Sequence, residues 1–546
     1  MSTGRRGDRG AVASGARRDD APDAVVIGAG HNGLVAANVL ADAGWDVVVC
    51  EATAHIGGAV RSAEVTAPGF VSDLFSAFHP LAAASPALTD LELERYGLTW
   101  SHAPSVLAHV FPDDRAVVLS RDIDQTAASV EQFGRGDGAA WRAMVAQWDV
   151  ARPHLLDTLF RPFPPVVPAA RLVHALGLAD TVRMARLGVL SVRRLQDERF
   201  DGEGAGMLLA GNALHADLSP DGAGSGVYGW LLSMLGQTYG FPVPVGGSGQ
   251  LSEALETRLR SAGESVRLSA AVEQVVLADG AARGVRLETG EVITARRGVL
   301  ADVVAPVLFN ALVGGNHLPR RFVEDLAHFQ WDAPTLKIDW ALKTPVPWSM
   351  PGVAGAGTVH LGVDLDGLTT FASDLASRRV PRHPFILFGQ MTTADASRSP
   401  AGTESAWGYT HVPTGVDLDD DDIARHVELV EQTVERHAPG FSDSIIGRFV
   451  QSPSRLQEGN PNLVSGAING GTAQLHQQLI FRPVPGLGGA ATPIDRLFIA
   501  GSSAHPGGGV HGAAGANAAR AAIARAGRLG GVRRKGTAAL MGRIYR

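Results

Sequence analysis

A glycine-paced turn between two short apolar strands constrains this chain more than any other feature. Ala24-Val25-Val26-Ile27 is a β-branched apolar run bounded by Asp23 and Gly28, the pattern of a buried parallel strand. Gly28, Gly30 and Gly33 follow at G-x-G-x-x-G spacing, Leu34 to Ala43 continues as a small-residue helix closed by Gly44, and Asp46-Val47-Val48-Val49-Cys50 forms a second strand with Glu51 at its end. Each part has a physical task. Gly28 permits the tight turn, Gly30 lets backbone approach a pyrophosphate, Gly33 lets helix and strand pack closely, and the helix start offers unpaired N–H groups to an anion. Glu51 is placed to accept hydrogen bonds from an adenosine ribose and would repel a 2′-phosphate. The same uncharged stretch is long enough to suggest a membrane span, but Asn32, Asn38 and its three glycines fit the turn and helix better. A second match, Gly224-Ser225-Gly226-Val227-Tyr228-Gly229, follows a polar turn instead of a strand, so a single dinucleotide site is expected.

Composition narrows the chemistry. Cys50 is the only cysteine among 546 residues, which excludes an intrachain disulfide, a CxxC redox pair and a cysteine-built metal cage. Only three of 48 basic residues are lysines: Lys337, Lys343 and Lys535. The net charge is −7, yet residues 1–18 carry five arginines against Asp8 and residues 525–546 carry seven basic residues and no acid. The ends therefore read as solvated basic arms on an acidic body, with an anionic membrane surface as the alternative partner. No basic stripe crosses a folded face, so no nucleic acid is expected. Residues 1–22 lack an apolar core for a signal peptide, and Asp8, Asp19 and Asp20 argue against a transit peptide; a cytoplasmic location with peripheral membrane contact is the expectation.

Later segments narrow the dinucleotide to FAD. Gly57-Gly58, Arg61, Pro68-Gly69-Phe70 and Asp73 follow the first unit. Near the other end, Arg496 to Gly501 reads as a strand, Ser502 to Val510 as a glycine-rich loop, and His511-Gly512-Ala513 opens an alanine-rich helix. A chain that begins half a nucleotide fold and finishes it so much later must hold the intervening sequence as insertions. The blocks IGAGHNGLVAANVLADAGWDVVVCEA, IGGAV with PGF, PVPVGGSGQLSEAL and FIAGSSAHPGGGVHGAAGANAA resemble the FAD-dependent superfamily of amine oxidases and phytoene desaturases. The likeness is greatest to its phytoene-desaturase-like branch, which includes the pyridine-nucleotide-disulphide-oxidoreductase-domain proteins. The resemblance implies an α/β fold: a Rossmann-like FAD-binding domain with an inserted α+β substrate domain carrying a mixed sheet and helices. It implies that Gly28, Gly30, Gly33, Gly57, Gly58 and Arg61 surround the pyrophosphate, that Glu51 holds the ribose, and that the strand around Val272 meets the adenine. Gly501, Val510, Gly512 and Ala513 are implied to face the flavin, where the helix dipole would stabilise an anionic reduced ring. Two departures stand out: Ala59 and Val60 intervene before Arg61, and Ser502 occupies a position where many relatives carry an acid.

The expected division is a disordered basic arm (1–22), FAD-binding segments (23–74, 246–305 and 451–524), substrate-domain segments (75–245 and 306–450) and a basic tail (525–546). Residues 272–290 read as a hairpin, and 334–342 and 384–391 as strands of a mixed sheet. From Phe160 to Leu195, arginines interleave with apolar residues at near-helical spacing, reading as a surface helix or an interfacial one. The acids at 417–422 miss the glycine a calcium loop needs and read as a helix start. His505 and His511 lack a third ligand, so no metal is expected. Because a flavin performs the redox step, the protein need supply only orientation, electrostatics and at most one base. Lys337 is the first catalytic candidate, since related amine oxidases keep a lysine on a comparable strand to hold a water at flavin N5; His79 and His505 are the others. The reading is an oxidoreductase that desaturates, isomerises or oxidises an apolar polyene or lipid-like substrate, with oxygen or a quinone-like acceptor. An amine or amino-acid oxidase, and a non-catalytic lipid-binding chaperone of the GDP-dissociation-inhibitor type, are the alternatives.

Overall fold

A computed structural model describes residues 21–546; all but the last two residues of the expected N-terminal arm lie outside the described residues. The first strand, Ala24–Ile27, sits in the middle of a five-stranded sheet in the order Leu497–Ile499, Gly298–Ala301, Ala24–Ile27, Val47–Cys50, Ser265–Arg267. Every pairing in it is parallel. Alternation along the strands buries both faces: Ala24, Val26, Val47 and Val49 join one core, while Val25, Ile27, Val299 and Ile499 join another, as a parallel sheet covered on both sides requires. The helix His31–Asp42 covers one face together with Ala513–Ala526. A three-stranded antiparallel sheet, Val272–Ala278, Ala281–Leu287 and Val292–Thr294, packs against the other. Its turns fall at the expected positions, with positive φ at Asp279, Gly280 and Gly290.

Neighbouring strands leave Ala24–Ile27 in opposite directions of the chain, so its carboxyl end is a switch point where such sheets bind ligands. The chain between the returning strands builds a seven-stranded mixed sheet in the order Ile445–Gln451, Thr335–Leu342, Glu404–His411, Ile386–Gln390, Ala356–Leu361, Ser105–Val110, Ala116–Leu119. Only Ala356–Leu361 and Ser105–Val110 pair in parallel. The expected strands at 334–342 and 384–391 are both present. Ile445–Gln451 belongs to this sheet as well, so the second sheet extends past the expected boundary at 450. Leu336, Ile338, Trp340 and Leu342 face a core closed by the helix Asp420–His437, whose acidic first turn is capped by Asp419 and Asp422 acting reciprocally. Helices Asp137–Phe160, Val166–Leu187, Glu203–Leu214 and Ser225–Tyr239 complete the insertion. The decoy glycines serve their packing: a Cβ on Gly226 or Gly229 would meet the carbonyls of Leu190 or Leu209 at 2.8 and 2.3 Å.

Two expectations are corrected. Residues 525–546 keep their basic side chains from Arg528 onward exposed, but the segment is docked. It forms the helix Gly530–Ile544, with Met541 and Tyr545 buried against Phe322 and its neighbours, and Arg525 forks onto Asp495 at 2.7 and 2.8 Å. Burial of one aromatic and one thioether at the helix end outweighs the repulsion of screened surface charges. Of the arginines between Phe160 and Leu195, all but Arg171 carry an acidic partner. Arg186 and Arg194 pair with Glu198, Arg193 with Asp221 and Asp366, and Arg183 with Asp180. Apart from Asp180, the partners come from sequence beyond that segment, which local charge counting does not capture.

Candidate functional site

The glycines act as the sequence predicts, and a residue the sequence reading passed over explains why. Gly28 has φ +93°, and a Cβ on Gly33 would lie 2.1 Å from the Gly28 carbonyl. Asp302, directly after the strand Gly298–Ala301, fills the space behind the turn. Its Oδ2 accepts the Gly33 N–H at 2.8 Å and would meet a Cβ on Gly30 at 2.6 Å. Gly57 donates its N–H to the Ala29 carbonyl at 2.8 Å, and Gly58 lies against the Gly30 backbone, so the Gly-Gly pair stacks on the first loop. Gly501 closes the same knot, its Cβ position 3.2 Å from Asp302 Oδ1. Burial raises the Asp302 carboxyl to about 7, against the lowering effect of the Gly33 N–H and with Glu51 adding to the rise. An aspartate ending an apolar strand looks like a strand stop, so only tertiary placement reveals it.

Glu51 is buried with one oxygen on the Ala29 N–H at 2.8 Å and the other on the Thr53 N–H and hydroxyl, both at 2.9 Å. The carboxylate thus ties the glycine loop to the second strand, and its remaining lone pairs suit a ribose hydroxyl. The Ala270 N–H donates to the Glu51 carbonyl at 2.8 Å, which brings the start of the strand at Val272 near Glu51. Arg61 is half-buried over the Phe75 ring at 5.6 Å, bonds the Gly459 carbonyl at 3.4 Å, and lies within the field of Glu51. Among the described residues no acid pairs with it. A half-buried guanidinium left for an anion fits a phosphate.

Four histidines line the other end. His31 opens the first helix and His79 follows Phe78; His505 and His511 flank the glycine loop before helix Ala513–Ala526. His511 has its tautomer fixed, because Nδ1 accepts the Ala513 N–H at 3.0 Å and Nε2–H donates to the Gly507 carbonyl at 3.1 Å. The first N–H of that helix is therefore satisfied within the protein. Gly512, at φ +66° with Val35 2.8 Å from its Cβ position, makes the tight entry to the helix, and Val510 is buried. The Ser248 hydroxyl donates to the Ser76 carbonyl at 2.7 Å, so His79 Nε2–H must donate to Ser248 at 2.9 Å. His79 Nδ1 is then an unprotonated acceptor without a partner. Burial is the main cause that pushes His31, His79 and His505 down to about 4 and His511 to about 3. All four are uncharged near neutrality, which leaves any free ring nitrogen an acceptor.

Lys337 lies on the face of its strand opposite the Trp340 core, with its ammonium on Asp339 Oδ2 at 2.5 Å and both side chains buried. Asp73 and Arg398 form a second buried pair nearby, 2.9 Å apart. Sequence reasoning found Lys337 but not its counter-ion two residues on, which returns to the same face because the strand period is two. On this face Trp407 and Tyr409 stack with ring planes 11° apart. The Tyr409 hydroxyl meets His215 Nδ1 at 3.2 Å, and His215 meets His360 at 3.1 Å. Asn469 donates to the His215 carbonyl at 3.3 Å while its own carbonyl accepts from Arg482, which also holds the Ser502 carbonyl. The aromatic face and the flavin loop thus share one scaffold. Among the described residues no group of three metal-binding side chains occurs.

The profile of the flavin-containing amine oxidoreductases matches residues 33–399. The chain belongs to this family. It is 30% identical to pyridine nucleotide-disulfide oxidoreductase domain-containing protein 2 of Rattus norvegicus, covering 91% of this chain and 92% of the relative. It is 27% identical to the zeta-carotene-forming phytoene desaturase of Myxococcus xanthus, with 89% and 90% covered. An oxidoreductase structure from Methanosarcina mazei superposes with a TM-score of 0.62 at 14% identity over 92% of this chain and 99% of that one, and the family's fold is therefore shared. The chain is an FAD-dependent oxidoreductase, which sets the non-catalytic alternative aside. The cradle fits the cofactor: besides the glycine approaches and Arg61, the buried Asn32 Oδ1, His31 Nε2, His79 Nδ1 and Asn517 Nδ2 lack partners within the protein, as groups that meet a ligand do.

Asp302 gives the cradle a pH dependence of calculable sign. With its carboxyl at about 7, the group is neutral below that pH and ionised above it, and a pyrophosphate beside it disfavours ionisation further. FAD binding then takes up a proton above pH 7, so affinity falls with rising pH by up to about tenfold per unit. Titration of apoprotein with FAD by flavin fluorescence from about pH 6 to about pH 9 checks this, and Asp302→Asn should flatten the profile. A wild-type profile already flat would exclude the linkage.

Proposed function

We propose that this flavoenzyme oxidises an apolar, long-chain or polyene substrate by removing a hydride to flavin N5. The observation that carries the reading is the charge balance of the substrate-side face. Lys337 is neutralised by Asp339 and Asp73 by Arg398; the buried Asp332 is held by the N–H groups of Ile468, Asn469 and Gly471 within the field of Arg482, and the histidines around the loop are uncharged. Trp407, Tyr409 and Leu387 supply a broad apolar surface beside them. Such a face suits a hydrocarbon, whereas an ammonium substrate would need an uncompensated carboxylate. Two relatives named for hydrocarbon chemistry support it: the Myxococcus desaturase, and a limonene dehydrogenase polypeptide of Castellaniella defragrans at 24% identity over 91% of this chain and 94% of the relative.

Bound FAD supplies the hydride acceptor. The protein's own residues do the rest. Desaturation also releases a proton from the adjacent carbon, and His79 Nδ1 is the unpartnered acceptor available to hold it. Lys337, fixed by Asp339, orients a water or substrate by a donor N–H. With one nucleotide unit and no cysteine pair, reoxidation falls to oxygen or a quinone-like acceptor. Anaerobic holoprotein should bleach with isoprenoid hydrocarbons and recolour with oxygen or a quinone. Bleaching by primary amines but not hydrocarbons would favour the amine-oxidase reading, and rapid stoichiometric bleaching by NADPH would contradict the acceptor assignment.

An apolar substrate needs a dry route, and we assign this to peripheral contact with lipid. Val166 stands 68% exposed before the break in the helix at Gly177, and Leu178 and Val182 stand 78 and 62% exposed after it; Leu479, Ile480 and Phe481 adjoin Phe163 across Gly488. Among the described residues no helix is long and apolar enough to cross a membrane. Because all of the nearby arginines except Arg171 are already paired, contact should depend mainly on apolar area. Cosedimentation with vesicles is expected to survive salt that screens surface charge and to fall when Leu178→Glu and Val182→Glu are combined. Binding abolished by salt yet untouched by those substitutions would refute an apolar contact.

A further inference from the structure

The helices Asp137–Phe160 and Val166–Leu187 double back on each other through the turn at 161–165. Beside that turn their surface opens into two adjoining depressions. One, about 400 Å³, is walled by Val166, Val167, Ala170 and Ala175. The other, about 530 Å³, is lined by Arg152, Arg161, Arg171 and Tyr239, with Ala84 and Pro86 as its floor. His154 and Arg171 border both, so the two form one trough that is carbon at one end and guanidinium at the other. Each part alone has the size of a small-molecule site, roughly 300–1,000 Å³.

The charge at the polar end is only partly balanced. Asp157 holds Arg161 at 2.7 Å, and Asp149 is 3.8 Å from Arg152, which lies 6.0 Å over the Tyr239 ring. Arg171 has no acidic partner among the described residues. Arg520 adds a fourth guanidinium in the field of Arg161, half-buried and lowered in pKa first by burial and then by that arginine. With Asp157 on Arg161 and Asp149 beside Arg152, Arg171 is the guanidinium left over, and planar guanidinium groups match carboxylate or phosphate oxygens in pairs.

The trough also lies one side chain from the flavin loop. Ser85, between the floor residues Ala84 and Pro86, donates its hydroxyl to the His511 carbonyl at 2.6 Å. Phe160 and Phe163, on either side of Arg161, have their rings 5.7 Å from those of His511 and His505 respectively.

We propose that this trough binds a single-chain anionic amphiphile, its carboxylate or phosphate head on Arg152, Arg161 and Arg171 and its apolar tail along Val166 to Ala175. A free anion would leave the apolar half unused, and a neutral hydrocarbon would leave Arg171 unpaired. That this ligand is the molecule delivered to the flavin rests on the oxidoreductase reading above; the binding itself does not.

Holoprotein dialysed against radiolabelled oleate below its micelle concentration tests the site, with oleyl phosphate, oleyl alcohol and inorganic phosphate as the other probes. One oleate or oleyl phosphate per chain is expected. Combining Arg152→Gln, Arg161→Gln and Arg171→Gln should weaken the binding of both about tenfold or more, as the loss of charge-assisted hydrogen bonds implies. Bound FAD should stay unchanged, and Ala170→Trp should displace the tail and weaken oleate as well. Oleyl alcohol binding as tightly as oleate, inorganic phosphate binding as tightly as oleyl phosphate, or uptake of oleate only when presented in vesicles would each overturn the proposal. Dialysis does not read flavin reduction, so the site can fail while the oxidoreductase reading stands, and the reverse.

Discussion

The close approach of backbones at Gly28, Gly30 and Gly33 is the constraint on which the remainder depends. The first helix can start at the sheet's switch point only because Gly33 rests on the Gly28 carbonyl. The returning helix Ala513–Ala526 can cross it only because Gly515 rests on Asn32, whose carbonyl lies 1.9 Å from the Cβ position. Side chains at either crossing would push the two halves of the nucleotide fold apart, although hundreds of residues separate them. Asp302 and Gly501 then fill the space behind the turn. The cradle is thus one knot tied from four segments, and the inserted mixed sheet takes its orientation from it through Asn469, Arg482 and the Ser502 carbonyl.

Electrostatically, the molecule treats its two ends differently. At the phosphate end it keeps a half-buried cation, Arg61, and a carboxyl that burial holds near neutrality. At the flavin end it buries many polar groups yet leaves little net charge, by pairing Lys337 with Asp339 and Asp73 with Arg398 and by holding the histidines neutral. Burying one partner of such a pair without the other would cost several kcal/mol, so the pairs come or go together.

Much of this was legible in the sequence where the signal is local. The strand, turn, helix and acid of the first unit, the hairpin at 272–290 and the two strands of the mixed sheet follow from short-range pattern. Gly57, Gly58 and Arg61 lie close to the first loop and Glu51. What could not be read depends on partners distant in the chain. Asp302 looks like a strand terminator until Gly33 is seen opposite it. Arg193 looks free until Asp221 and Asp366 come beside it. The C-terminal segment looks like a basic arm until Met541 and Tyr545 find a pocket near Phe322. The trough beside the two long helices is legible only in three dimensions, because Arg152 and Tyr239 come to it from other helices than Val166, Val167 and Arg171.

The most direct test of the central claim compares bound flavin per chain in Gly30→Val and in Gly226→Val, two glycines of matching motif spacing but opposite assignment. The first places methyl groups where Asp302 and the cofactor's pyrophosphate converge; the second crowds the Leu190 and Ser191 carbonyls within the helical insertion. The account predicts that wild-type protein releases one FAD per chain on acid precipitation, that folded Gly30→Val releases almost none, and that whatever Gly226→Val protein folds keeps its full complement. Stoichiometric FAD in folded Gly30→Val would contradict it.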